Sequence, residues 1–76
     1  MNEFEKSVSK IKIYLGVLDD RERDIIEMRF GLKEDKKKYT LDLVGKKHKI
    51  SRERVRQIED KAMKKILEAE NDLYKQ

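Results

Sequence analysis

Val55, Ile58, Ala62, Ile66, Ala69 and Leu73 recur at steps of three and four through a stretch that contains neither proline nor glycine. That period draws one stripe along an α-helix, and a stripe of such length has to be covered by other parts of the chain. No other feature limits the fold as strongly. Ser51 stands just before the stripe and is a good N-cap, because its hydroxyl accepts from the free N–H groups of a first helical turn. The spacing therefore predicts a long last helix reaching Leu73, with Glu70, Asn71 and Asp72 expected to fray its end.

What covers the stripe has to come from the rest of the 76 residues, which form one domain at most. Proline is absent and glycine occurs only at 16, 31 and 45, so the chain reads as helices joined by short connections. Phe4, Val8, Ile11, Leu15 and Leu18 share one face of a first helix ending near Gly16. Asp19 and Asp20 are placed to cap a second helix whose first turn gains from Glu22. Ile25, Ile26 and Phe30 are its expected buried side and Gly31 its stop. Lys33 to Lys38 has no apolar residue and reads as a loop. Thr40 caps a short third helix, Leu41 to about Lys47, that buries Leu41 and Val44. Only His48, Lys49 and Ile50 separate it from Ser51, which is the spacing of a helix-turn-helix. The expected fold is all-α: a four-helix domain, 1–76, made of an N-terminal helix pair, 1–32, and a C-terminal helix-turn-helix, 39–73.

Charge points to the partner. Hydrophobic residues make up 37% of the chain and charged residues 47%, but the charges are not evenly spread. Residues 1–35 carry a net −2, residues 36–66 a net +8 and the last ten a net −2. A positive field confined to one segment suits a partner with regularly spaced phosphates. There is no cysteine, hence no disulfide or thiolate metal site, and no apolar run long enough to span a bilayer. The expectation is a soluble cytoplasmic protein that does not act at a membrane. A basic helix lying on anionic lipid is disfavoured by Glu53, Glu59 and Asp60.

On a wheel of 100° per residue, Glu53, Gln57, Asp60 and Lys64 lie opposite the apolar stripe of the last helix. Gln57 suits the N6 and N7 edge of adenine, and Glu53 suits the N4 amino group of cytosine. Arg52, in the first turn, suits guanine O6 and N7. Arg54 and Arg56 flank this face and Lys61 and Lys64 extend it, where phosphates would run. The plainer alternative is a solvated helix face laced by pairs such as Glu53 with Arg56. Catalysis has little to work with: His48 is the only histidine, it lies in the turn, and no glycine-rich phosphate loop accompanies it. No cofactor is implied, and Asp19 and Asp20 are better explained as caps than as metal ligands.

From Leu18 to Leu67 the sequence resembles the fourth region of the primary sigma factor family, which reads the minus-35 promoter element. Leu18 to Arg23 and Met28-Arg29-Phe30-Gly31-Leu32 are similar to its first half. Tyr39-Thr40-Leu41, Val44-Gly45-Lys46, Ser51 to Glu59 and Lys61-Ala62 resemble its helix-turn-helix. The resemblance implies base contacts by Arg52, Glu53 and Gln57, the residues that the helical wheel and the first-turn position select. It implies phosphate contacts by Arg21, Arg29, Thr40, Leu41, Arg56 and Lys61. It also implies a hydrophobic cup for the flap of the RNA polymerase beta subunit, with Leu15, Leu18, Ile25, Ile26 and Phe30 as the candidates here, although most of these are better explained as core.

Two departures stand out. Leu43 takes a position on the third helix where the family usually has an acidic residue, and the loop before Tyr39 is unusually rich in lysine. The chain has no counterpart of the family's second region. The expectation is therefore an isolated fourth region, or a small protein that reads the minus-35 element in trans beside a second sigma-like or activator protein. The alternative is a protein-only mimic that occupies the polymerase flap and displaces the host sigma factor. With five to seven phosphates neutralised, log affinity for duplex DNA should fall against log salt with a slope of about −4 to −6. Fluorescence anisotropy across a salt series measures it, and a flat response contradicts phosphate contact on that scale.

Overall fold

The computed structural model describes residues 11–74, and every regular element among them is helical. Among the described residues helix α1 takes in 11–14 and runs on as a 3-10 turn, Leu15–Val17. It is followed by α2 (Asp20–Phe30), α3 (Leu41–His48) and α4 (Arg52–Tyr74). Phe4 and Val8 lie outside the described residues, as does the side chain of Leu73. Helix α4 continues to Tyr74, one residue past the expected Leu73.

The helix ends follow from local chemistry. Asp19 accepts from the Glu22 N–H at 2.8 Å while the Glu22 carboxylate accepts from the Asp19 N–H at 3.1 Å, a reciprocal capping box. This hydrogen bond from the Glu22 backbone, foremost, holds the Asp19 carboxyl below its usual range. Asp20 has a different role from the expected cap and pairs with Arg23. Arg23 also donates to the Leu18 and Leu15 carbonyls at 2.9 and 3.3 Å, fastening the end of α1 to α2. At Gly31 the chain enters the left-handed region, with φ of 68°, and a β-carbon there would sit 3.0 Å from the Lys36 carbonyl oxygen. Thr40 and Ser51 cap α3 and α4 by accepting from the N–H groups of Leu43 and Arg54.

Two apolar clusters lie along α4. Ile58 and Val55 in its first half pack with Val44 of α3 and with Ile25 and Met28 of α2. Further along, Ala62 and Ile66 meet Ile26 of α2, Ile11 of α1 and Leu18. Helix α2 is thus wedged between both clusters and buries two adjacent faces. That is why Met28, passed over in the periodicity, is buried while Phe30 is only half-buried. The same wedge corrects part of the expected flap surface. Leu18, Ile25 and Ile26 are interior, with relative exposures of 4%, 0% and 0%, and cannot meet a partner. Leu15 and Phe30 remain half-exposed.

Beneath the turn of the helix-turn-helix, Gly45 is buried where α3 passes closest to the start of α4. A β-carbon at Gly45 would lie 2.7 Å from the Ile50 carbonyl oxygen, inside any real contact distance. The turn is also held by Lys49, whose φ of 58° makes it the left-handed cap of α3, and by the Ile50 N–H donating to the Gly45 carbonyl. Gly45→Ala should destabilise the domain by about 1–3 kcal/mol, measured by urea unfolding, because backbone would have to move to admit the methyl. An unchanged midpoint would show that the turn has slack.

Candidate nucleic-acid interface

With Val55, Ile58, Ala62 and Ile66 turned inward, geometry leaves the opposite side of α4 in solvent. Arg52, Glu53, Arg54, Arg56, Gln57, Asp60, Lys61 and Lys64 are all exposed there. Within the free chain this face is laced by weak pairs. Arg56 donates to Glu53 at 2.8 Å and approaches Asp60 at 3.8 Å, and Arg54 donates to Gln57 at 3.4 Å. Arg52 comes within 3.8 Å of Asp42 on α3. The hydrogen bond and charge of Arg56 hold the Glu53 carboxyl below its usual range. Exposed pairs of this kind contribute little to stability and are readily exchanged for other partners. The pairs foreseen for a solvated face are thus present in the free chain, Glu53 with Arg56 among them.

Around this face, the turn, α3 and the start of α4 enclose an open groove lined by Asp42, Gly45, Lys46, Lys49, Ser51 and Arg52. Thr40 is exposed at the start of α3, whereas Leu41 is half-buried against the first cluster. Arg21 is exposed at the start of α2. Leu43 is 49% exposed, in keeping with its expected outward position. Arg29, at the end of α2, is half-buried and has partners within the domain. Its guanidinium donates to the Tyr39 carbonyl at 2.9 Å and pairs through Nε with Glu59 of α4 at 3.4 Å. It is a strut inside the domain, joining α2, the approach to α3 and α4.

Sequence reasoning missed a second strut. Asp24 of α2 receives Lys47 at 2.9 and 3.1 Å, lies 2.7 Å from His48 Nε2 and also pairs with Lys33. These contacts fasten the end of α3 to the middle of α2. A third joins Lys65 of α4 to the buried Glu22 carboxylate at 2.7 Å, and this hydrogen bond raises the Lys65 ammonium above its usual range. Apart from Lys33, the partners are 23 to 43 positions apart, so no local spacing announces them. Among the described residues, no group of three or more His, Cys, Asp or Glu could hold a metal ion. None of the described helices is long and apolar enough to cross a membrane.

Known proteins supply the comparison for this arrangement. The sequence model of the family described as "Sigma-70, region 4" matches residues 14–67. RNA polymerase sigma factor SigA of Lactococcus lactis subsp. cremoris is 52% identical over 52 residues, covering 68% of this chain and 14% of the relative. RNA polymerase sigma factor RpoD of Helicobacter pylori is 47% identical over 58 residues, 76% of this chain and 9% of the relative. RNA polymerase principal sigma factor HrdD of Streptomyces griseus is also 47% identical over 58 residues, 17% of its own length. The chain thus spans a small part of each of these relatives.

The Asp24 strut has a consequence for stability in acid. Burial raises the pKa of Asp24, but hydrogen bonds from Lys33, Lys47 and His48 outweigh it and lower the value from 3.8 to about 2. A carboxyl whose folded pKa is depressed stabilises the fold above its unfolded value, and loses that contribution as pH falls through the folded one. The parent should therefore exceed Asp24→Asn in stability by about 1–2 kcal/mol at pH 6, allowing for solvent screening of the pairs, with the gap closing between pH 4 and 2. Urea unfolding of both proteins at several pH values measures this. A gap that stays constant to pH 2 would mean that ionised Asp24 is not its source.

Proposed function

The chain belongs to the sigma-70 region 4 family, and from that premise we propose that it binds promoter DNA at the minus-35 element as part of transcription initiation in the cytoplasm. It is a DNA-binding domain and not an enzyme. In this reading residues 1–76 form one region-four domain, in which 1–32 support and 39–73 read. Helix α4 enters the major groove, with Arg52 on guanine, Glu53 on cytosine and Gln57 on adenine. Arg54, Arg56, Lys61 and Lys64 meet phosphates beside it, and Arg21, Thr40 and Leu41 meet them at the starts of α2 and α3. At Leu41, the half-buried side chain leaves the contact to the backbone N–H, which is free at a helix start.

The observation that carries the reading is the exposure of Arg52, Glu53 and Gln57 on one face of a helix whose other face is locked into both apolar clusters. A reader needs this combination, since side chains discriminate bases only when the helix bearing them is held rigidly. The same family membership supports RNA polymerase as a partner, with Leu15 and Phe30 as the remaining candidates for contact with its beta-subunit flap.

Gln57→Ala should weaken binding to minus-35 duplex DNA by about 1–3 kcal/mol while leaving binding to an unrelated duplex of equal length nearly unchanged. Anisotropy titrations of both duplexes at one salt concentration make the comparison. Equal loss on both duplexes, or no loss on either, would remove Gln57 from base reading. Binding to polymerase with no affinity for promoter DNA would favour a protein-only mimic instead.

A further inference from the structure

The lysine-rich loop between α2 and α3 is not absorbed by the helix-turn-helix, yet it is built as a fixed element. Lys36 adopts a left-handed conformation, with φ of 55°, and its N–H donates to the Lys33 carbonyl at 2.9 Å. Asp35 turns back into the loop, accepting from the Lys37 N–H at 3.0 Å and from the Tyr39 hydroxyl. The Tyr39 N–H donates to the Met28 carbonyl at 2.9 Å, and the Arg29 strut holds the Tyr39 carbonyl. The loop is thus tied at both ends to α2.

This arrangement sorts the charges of the loop. Lys33 is turned to Asp24, and the Asp35 carboxylate is occupied by Tyr39 and by the backbone. Lys36 and Lys37 are exposed; the charge of Lys37 is felt by the Asp35 carboxylate, but among the described residues neither ammonium is held in a salt bridge. Two cations are left standing three and four residues before the N-cap of α3, on a backbone that is already ordered. At about 3.3–3.6 Å per residue, Lys37 lies within about 11 Å of Thr40 and Lys36 within about 14 Å.

We infer that Lys36 and Lys37 form a second phosphate clamp, binding the duplex backbone beside the strand segment that meets the start of α3. The inference rests on the proposed reading of α4, because in a docked helix-turn-helix the first helix crosses the DNA backbone. A B-DNA strand advances only about 3.4 Å along its axis per phosphate. The phosphates next to one held at Thr40 therefore fall within the combined reach of this loop and its side chains. Ordering the loop before binding removes part of the entropy cost of the contact. Since a phosphate is the same at every base pair, the clamp adds affinity without adding sequence preference.

The test compares the full chain with Lys36→Gln/Lys37→Gln, and with Lys12→Gln as a charge control on α1, on a minus-35 duplex and on an unrelated one. The loop variant should lose on the order of tenfold on both duplexes, and its salt slope should become shallower by about 1.8 for two phosphates. Lys12→Gln should keep the parental slope. Far-ultraviolet circular dichroism and the urea midpoint, equal in all three proteins, separate lost contact from lost fold. If the loop variant keeps the parental affinity and slope while Gln57→Ala still loses minus-35 preference, the clamp is wrong and the reading of α4 stands. If the parent itself binds neither duplex, the reading and the clamp fall together.

Discussion

Burial of the stripe from Val55 to Ile66 is the constraint on which the rest of the molecule depends. It fixes the rotation of α4 about its own axis, and a helix with one face fixed has no choice about what its other face presents. Val55 and Ile58 are held by Ile25, Met28 and Val44, while Ala62 and Ile66 are held by Ile26, Leu18 and Ile11. Helix α2 serves both clusters, so the pair of adjacent isoleucines at its centre joins the two halves of the domain. A small chain gains from this economy, since one wedge helix covers most of the stripe that a long helix would otherwise leave in water.

Polar struts then set positions that apolar contact leaves loose. Hydrophobic burial is non-directional and tolerates sliding, whereas Arg29 to Glu59 and Tyr39, Asp24 to Lys47 and His48, and Lys65 to Glu22 join defined atoms. Each runs between different elements, and together they register α3 and α4 against α2. The three struts lie away from the exposed face of α4. Pairs on that face, such as Glu53 with Arg56, are solvent-exposed and exchangeable. Held firmly from behind and loosely paired in front, the helix is prepared to trade intramolecular partners for external ones.

Much of this architecture was legible because its signals are local. The steps of three and four gave α4, the caps at Asp19, Thr40 and Ser51 gave three helix starts, and Gly31 gave a stop. Phase around one helix is also local, so the outward set Arg52, Glu53 and Gln57 followed from the inward set. The failures came where burial depends on two neighbours at once. Periodicity assigns a helix one face, so it missed Met28, although it did put Ile25 and Ile26 on a buried side; the outer surface offered for Leu18, Ile25 and Ile26 came from the family resemblance alone. Long-range polar pairing was equally silent: that Arg29 meets Glu59, thirty positions away in the chain, is seen only in the fold. Gly45 was visible as a letter, but its necessity appears only when the Ile50 carbonyl is seen beside it.

The central claim is that the outward face of α4 is the surface that meets DNA. Backbone amide chemical-shift mapping during titration with a minus-35 duplex tests it directly, residue by residue and with no substitution. The account predicts that the largest changes fall on residues 51–57 and at the start of α3, with Ile26, Ala62 and Ile66 nearly still. Changes concentrated on α1 and the outer side of α2, with the start of α4 unmoved, would contradict it.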